Sequence, residues 1–166
     1  EATAKLVNSF VTSRLDNLNS LLFGVHGYLI EKLQLIQNSS ARLITRVKSS
    51  EHITPALISL HWLPVKYRIE YKILLLTYKA QHGKAPAYLK DLLIPYNPKR
   101  CLRSCARHEL EPQKSRLKRF GDRTFTCCAP HLWNNLPLDV KLCQSTEHFK
   151  KSLKTLLFKR AFQGYL

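Results

Sequence analysis

The segment SLHWLPVKYRIEYKILLLTYKAQHGK, residues 59–84, determines most of the predicted fold. An apolar turn with Trp62 and Pro64 leads into apolar residues that recur every three or four positions, which is the spacing of an α-helix. Gly83 follows as the expected helix stop. The pattern predicts a helix over residues 65–82 that buries one stripe of side chains, namely Ile69, Ile73, Leu76 and Ala80.

Two more helices are predicted on the N-terminal side of this segment. Apolar residues at helical spacing favour helices over residues 3–23 and 29–46, which we expect to pair as a helical hairpin. Thr54 and Pro55 form a typical helix start, an N-cap residue followed by proline. The first of these helices is expected to bury an apolar stripe made of Leu6, Val7, Phe10, Val11, Leu15, Leu18 and Leu22.

The second half of the chain contains fewer periodic apolar residues. Short helices are predicted over residues 85–93 and 130–135, and Ser145 is expected to cap a last helix that ends near residue 162. Residues 123–128 alternate as in a β-strand, and we expect them to pair with residues 110–116.

Together these patterns predict a mainly α fold, a helical bundle of about six to seven helices with a small β-hairpin element in its second half. The composition changes after residue 94, where arginine and lysine replace the periodic apolar residues. We therefore predict a helical domain over residues 1–94 and a basic C-terminal extension over residues 95–166, which contains the short β element and the terminal helix.

The charge of the sequence is strongly uneven. Twenty-seven Lys and Arg residues face eleven Asp and Glu residues, a formal net charge of +16. Residues 1–60 carry six basic and four acidic residues, a net charge of +2, whereas residues 61–166 carry twenty-one and seven, a net charge of +14. This excess favours a polyanionic partner, with nucleic acid as the first candidate. The alternatives are an acidic protein, a membrane surface, or a basic composition that serves solubility alone.

Three basic groups are the candidate contacts with nucleic-acid phosphates. The first lies on or just after the helix predicted over residues 65–82, the second in the loop-rich region after residue 95, and the third on the last helix. Such residues neutralise phosphates without reading bases, and the alternative for any single one is a solvated surface charge. The candidates are Lys66, Lys72, Lys79 and Lys84; Arg103, Arg107, Lys114, Arg116, Lys118, Arg119 and Arg123; and Lys150, Lys151, Lys154 and Lys159.

The aromatic residues near these groups have two interpretations. The tyrosines of the central helix could stack on nucleic-acid bases, but packing in the core is the simpler interpretation. Trp62 and Trp133 lie beside Leu-Pro turns and are interpreted as core anchors. His61 lies in the apolar turn, where a packed core histidine is favoured over a catalyst. The tyrosines concerned are Tyr67, Tyr71 and Tyr78.

We predict neither a catalytic site nor a metal site in this chain, and no cofactor. Acid–base catalysis needs carboxylates that act together, but Asp16, Asp91, Asp122 and Asp139 stand apart and are interpreted as caps and local ion pairs. The cysteines and histidines could in principle bind zinc, but their spacing fits no regular zinc finger. Small buried thiols are the favoured interpretation of these residues, which are Cys101, Cys105 and His108 in one group and Cys127, Cys128 and His131 in another.

The sequence contains neither a signal-peptide pattern nor an apolar run that is long enough to cross a bilayer. The five cysteines are odd in number and are expected to be reduced thiols. We therefore predict an intracellular location, nuclear and cytoplasmic, and no membrane partner. Because the sequence contains no Met, we expect it to be a piece of a longer polypeptide.

Six segments, in this order, resemble the region that follows the polymerase core in reverse transcriptases of LINE-type (non-LTR) retrotransposons, especially the CR1 and L2-like clades. They extend from about residue 10 to residue 162. Cysteines at positions 101, 105, 127 and 128 and Asn17 depart from the family pattern. The segments are VTSRLDNLNSLLFG, KLQLIQNSSARLI, HITPALISLHWLPVKYRIEYKILLLTYKA, APAYLKDLL, SRLKRFGDRTFTCCAPHLWNNLPLDV and FKKSLKTLLF.

This resemblance implies that residues 1–94 correspond to the helical thumb and that the parent protein performs target-primed reverse transcription. The reaction is a phosphoryl transfer assisted by Mg²⁺, which we expect in the parent polymerase core. The paired aspartates of that core are absent from this sequence. The implied partners are template RNA, the DNA of the primer–template duplex, and the rest of the reverse transcriptase polypeptide. The alternative is a non-catalytic scaffold or protein-interaction module from a decayed or domesticated element.

Overall fold

The computed structural model describes residues 2–97, 108–117 and 120–165, and in these residues the chain is helical without β-strands. The predicted mainly α fold is therefore confirmed for this part of the chain. The α-helices are α1 (Ala2–Val7), α2 (Ser13–Asp16), α3 (Gly27–Thr45), α4 (Thr54–Ser59), α5 (Val65–Gln81), α6 (Ala87–Asp91), α7 (Phe125–Asn134), α8 (Leu138–Lys141) and α9 (Thr146–Ala161).

Helix α5 forms as predicted, and both of its ends are fixed by hydrogen bonds. The amide of Lys84 donates to the carbonyl of Lys79 at 2.8 Å, and the amide of Gly83 donates to that of Ala80 at 3.4 Å. This is the Schellman pattern of a helix end, and Gly83 has the required positive φ of 65°. The helix buries a wider arc than the predicted stripe, because Leu74, Thr77 and Tyr78 are buried as well.

Helix α3 holds the turn that precedes α5 through two glutamines. Gln37 is 1% exposed, and its Nε2 donates to the carbonyl of Leu63 at 2.9 Å. Gln34 Oε1 accepts from the amide of Val65, the first residue of α5, at 2.8 Å. These bonds satisfy backbone groups at the start of α5 that have no partner within the helix. The sequence analysis assigned no role to either glutamine.

The predicted helix over residues 3–23 is interrupted. A π-helical turn at Asn8–Thr12 separates α1 from α2, and a 3₁₀ turn at Asn19–Leu22 follows. Leu18 has a left-handed φ of 52°, which ends the helix and turns the chain. The predicted buried stripe is therefore wrong in part: Val7 is buried, whereas Leu6, Phe10 and Leu18 are exposed.

The chain divides into two units, Glu1–Ile69 with Leu156–Leu166, and Glu70–Thr155, so that α5 and α9 contribute residues to both. In the first unit Ala41, Leu57 and Phe162 form a buried cluster, against which partly buried apolar residues pack. The division predicted at residue 94 follows composition rather than contacts, and it stays a prediction.

An aromatic stack forms the centre of the second unit. The rings of Tyr78 and Phe149 stack with centroids 4.1 Å apart, and Trp133 lies 6.1 Å from Phe149 on a third helix. The Tyr78 hydroxyl donates to the carbonyl of Cys143 at 2.7 Å, so this buried polar group is satisfied. Burial of each of these rings stabilises the fold by roughly 1.5–3 kcal/mol. The interpretation of Trp133 as a core anchor is confirmed.

The predicted β-hairpin is wrong. Residues 123–128 do not form a strand, because α7 begins at Phe125 and continues through Pro130 to Asn134. The carbonyl of Thr124 accepts the amides of Cys127 and Cys128 at 3.0 and 2.9 Å, which starts the helix five residues before the predicted position. Leu110, the other half of the predicted hairpin, forms an isolated antiparallel bridge with Pro95 instead.

Candidate nucleic-acid interface

The candidate basic residues lie in three places. Lys66, Lys72 and Lys79 are on α5, and Lys84 follows that helix. Lys150, Lys151, Lys154 and Lys159 are on α9. Lys114, Arg116 and Arg123 lie in the second unit between the Pro95–Leu110 bridge and α7. The remaining candidates, Arg103, Arg107, Lys118 and Arg119, lie outside the described residues.

The polar face of α9 carries an acidic residue followed by three lysines. Glu147, Lys150, Lys151 and Lys154 are separated by three, four and seven positions, which places them on one side of the helix. The opposite side buries Phe149, Leu153 and Leu157, each 0% exposed. Because that apolar side is packed in the core, the three lysines face outward. Ser145 Oγ accepts from the amide of His148 at 3.1 Å, so the predicted cap of this helix is confirmed.

Lysines from two helices meet at the first turn of α9. Lys150 Nζ lies 2.7 Å from Glu147 Oε1, and Lys84 Nζ donates to Thr146 Oγ1 at 3.0 Å. The hydrogen bond from Lys150 lowers the pKa of the Glu147 carboxyl below its ordinary 4.5. The positive charges of Lys151 and Lys79 lower it further, so these two residues lie close to the same carboxylate. We call Lys79, Lys84, Lys150 and Lys151 the α9 lysine cluster.

Tyr71 of α5 lies beside this cluster. Burial raises the pKa of the Tyr71 hydroxyl above 10.0, Lys150 lowers it and Glu147 raises it, so both charges lie near the ring. Tyr71 is half-buried, and its ring is therefore only partly available for stacking on a base. Tyr78 is 0% exposed, which confirms its interpretation as a core residue.

The ends of the arginine-rich segment 98–107, which itself lies outside the described residues, are joined by the Pro95–Leu110 bridge. The amide of Tyr96 donates to Glu109 at 3.0 Å, and the amide of Glu111 donates to Ile94 at 2.8 Å. Asn134 at the end of α7 holds the other edge of Leu110. Its Oδ1 accepts from the Leu110 amide at 2.9 Å, and its Nδ2 donates to the Leu110 carbonyl at 2.8 Å.

Trp133 strengthens the same attachment, because its indole Nε1 donates to the carbonyl of His108 at 2.8 Å. Sequence reasoning identified Trp133 as a core anchor but assigned nothing to Asn134 or to this connection. A buried Trp followed by Asn at a helix end was the available signal, although nothing in the sequence identifies the partner strand.

The remaining candidate residues have individual surroundings. Lys66 Nζ lies 6.0 Å from the ring centroid of Tyr67, and the Arg123 guanidinium lies 5.7 Å from that of Phe120. Lys114 and Arg116 are exposed, as are Lys72 and Lys154. Exposure leaves these charges available to a polyanion, but the described contacts do not group them as they group the α9 lysine cluster.

Two interpretations of single residues need correction. His61 is exposed rather than packed in the core, with a left-handed φ of 52° and its ring stacked on Phe158 at 5.9 Å. Asp16 forms an ion pair, but its partner is Arg68 of α5 at 2.7 Å rather than a neighbour in sequence. Arg68 also donates from Nε to the Leu63 carbonyl at 3.0 Å, so it connects α2 to the turn before α5.

Within the described residues, no three His, Cys, Asp or Glu side chains lie together as a metal site would require. Cys101 and Cys105, half of the cysteines considered for zinc, lie outside these residues. The described helices include none that is long and apolar enough to cross a membrane.

Comparison with protein-family models, curated proteins and solved structures finds no match for this chain. The case for a function therefore depends on the arrangement of charges within the chain and on the sequence resemblance. The geometry is suited to binding an anion, since it offers several ammonium groups at one helix end and outward-facing lysines along that helix.

Proposed function

We propose that this chain is the nucleic-acid-binding C-terminal part of an RNA-directed DNA polymerase, the reverse transcriptase of a LINE-type non-LTR retrotransposon. In this role it holds the RNA template and the primer–template duplex, while the catalytic carboxylates and their Mg²⁺ ions belong to another part of the polypeptide. The rest of that polypeptide is its protein partner, and its location is nuclear and cytoplasmic.

The observation that carries the proposal is the charge of the second unit. Its sequence, residues 70–155, contains seventeen basic and seven acidic residues, a net charge of +10. The lysine side of α9 and the α9 lysine cluster lie in this unit. Ammonium groups at the surface bind phosphates and release counterions, so the expected binding is independent of base sequence. The order of the six family-like segments favours a polymerase rather than another basic protein.

A salt titration tests this proposal. A fluorescent single-stranded RNA of about 12 nucleotides is titrated with the protein between about 50 and 300 mM KCl. We expect the logarithm of the association constant to fall linearly with the logarithm of salt concentration, with a slope of about −3 if four phosphates are neutralised. Affinity that hardly changes over this range would contradict phosphate binding.

Charge-matched variants supply the control. In the test variant Lys79, Lys151 and Lys154 are replaced by Gln, and in the control variant Lys32, Arg46 and Lys48 of the first unit are replaced by Gln. Both variants lose three positive charges, so non-specific attraction falls equally. The test variant should lose about two units of slope, and the control should keep the slope of the original protein.

An exposed apolar surface in the first unit favours the second candidate, a scaffold or protein-interaction module. Leu6, Phe10, Leu35 and Leu43 are each more than half exposed. A groove of about 310 Å³ near this surface is lined by Phe10, Leu15, Leu22 and Ile36, among others. Exposed apolar surface of this kind is common at protein contacts. Absence of salt-dependent RNA binding would favour this candidate.

A further inference from the structure

The α9 lysine cluster surrounds a single carboxylate. Glu147 contacts Lys150 at 2.7 Å, and Thr146 beside it accepts a hydrogen bond from Lys84 at 3.0 Å. Lys79 on α5 and Lys151 on α9 lie close enough for their charges to act on the same carboxylate. Four cations from two helices therefore converge on one anionic side chain at the surface of the second unit.

The Glu147 carboxylate is held weakly. Its side chain is 76% exposed and that of Lys150 is 36% exposed, so water and salt screen the ion pair. A phosphate carries oxygens that accept the same charge-assisted hydrogen bonds as a carboxylate. Removing Glu147 from the lysines therefore costs little, and a phosphate that replaces it contacts four ammonium groups.

We propose that the first turn of α9 is a phosphate-binding site that the Glu147 carboxylate occupies in the free protein. A phosphodiester of the bound nucleic acid displaces Glu147 and contacts Lys79, Lys84, Lys150 and Lys151. This inference rests on the proposed function and adds to it the position of one phosphate contact and an internal anion that competes for it. Glu147 limits the affinity of the free protein for polyanions.

The matched pair Glu147→Gln and Asp139→Asn tests the inference. Both substitutions remove one negative charge from the first turn of an α-helix in the second unit, and both acidic residues are exposed. A general increase in net positive charge therefore affects both variants equally. The probe is single-stranded oligouridylate of about 12 nucleotides, titrated between about 50 and 300 mM KCl.

We expect Glu147→Gln to tighten binding about fivefold at the lower salt concentrations and to steepen the salt slope by about 0.7, the effect of one additional phosphate contact on a single strand. Asp139→Asn should change affinity less than about twofold and leave the slope unchanged. Lys84→Ala, which removes one cation from the cluster without removing Glu147, should weaken binding more than Lys48→Ala in the first unit.

The failure of this inference is distinguishable from failure of the proposed function. If the original protein binds with a steep salt slope but the Glu147 and Asp139 variants respond equally, the inference is wrong and the proposed function stands. If the original protein does not bind oligouridylate at any salt concentration in this range, both are wrong.

Discussion

The thiol of Cys128 has an ionisation that the folded chain strongly opposes. Burial raises the pKa of Cys128 from 9.0 to about 11, and the adjacent Cys127 contributes in the same direction. As the pH rises, the unfolded chain therefore loses this proton before the folded chain does. The stabilising contribution of the protonated thiol is complete below pH 9 and is lost between pH 9 and about 11.

This difference predicts a pH-dependent effect of Cys128→Ala. At pH 8 the variant should be less stable than the original protein by about 1 kcal/mol, because a buried side chain is shortened. Since alanine does not ionise, the difference in the free energy of unfolding should shrink between pH 9 and 11. Urea unfolding at several pH values measures it. A difference that stays constant from pH 8 to pH 11 would contradict the role of burial.

Residue-level predictions succeeded where a local signal decided the outcome. Ser145 caps α9 and Gly83 ends α5, because capping and left-handed backbone depend on the residue itself. His61 and Phe10 were placed in the core, yet both are exposed. Apolar spacing predicts which side of a helix is buried only when another element covers that side, and sequence alone does not supply the cover.

At the scale of elements, the attachment of the Pro95–Leu110 bridge to α7 depends on one amide side chain. Asn134 occupies both hydrogen-bonding groups of Leu110, a residue that is 2% exposed. Asn134→Ala leaves a buried donor and a buried acceptor without these partners. We expect a loss of about 2–4 kcal/mol in the free energy of unfolding, since each unsatisfied group costs about 1–3 kcal/mol.

Hydrogen exchange identifies the site of this loss. In Asn134→Ala the amides of Leu110, Tyr96 and Glu111 should exchange faster, while the amides of α3 should keep their protection. Asn17→Ala, which changes an exposed asparagine, should alter stability by less than about 0.5 kcal/mol. Unchanged exchange at Leu110 would show that Asn134 does not hold the bridge.

The prediction of elements failed in the segment that contains α7. The alternation of Thr124, Phe125 and Thr126 favours a strand, and Pro130 was interpreted as a helix start. The helix instead begins before the proline, which then occupies an interior position. Burial of Cys128, Ala129 and Trp133 on one side of α7 outweighs the strand preference and the lost backbone hydrogen bond. That burial depends on residues distant in sequence.

At the scale of the whole molecule, the sequence predicted the helical class and the uneven charge, because both follow from composition and period. It did not predict which lysines share a site. Lys79 and Lys150 are seventy-one positions apart in sequence, yet both act on Glu147. The spacing of Glu147, Lys150, Lys151 and Lys154 was the signal for the α9 half of the surface, whereas the α5 half required the fold.

The central claim is that lysines of the second unit contact the nucleic-acid backbone. Acetylation of lysines by a water-soluble reagent, with and without oligouridylate, followed by mass spectrometry of the peptides, tests each residue separately. We predict that RNA protects Lys79, Lys84, Lys150 and Lys151 and leaves Lys32 and Lys48 of the first unit equally reactive. Equal protection in both units, or protection confined to Lys32 and Lys48, would contradict the claim.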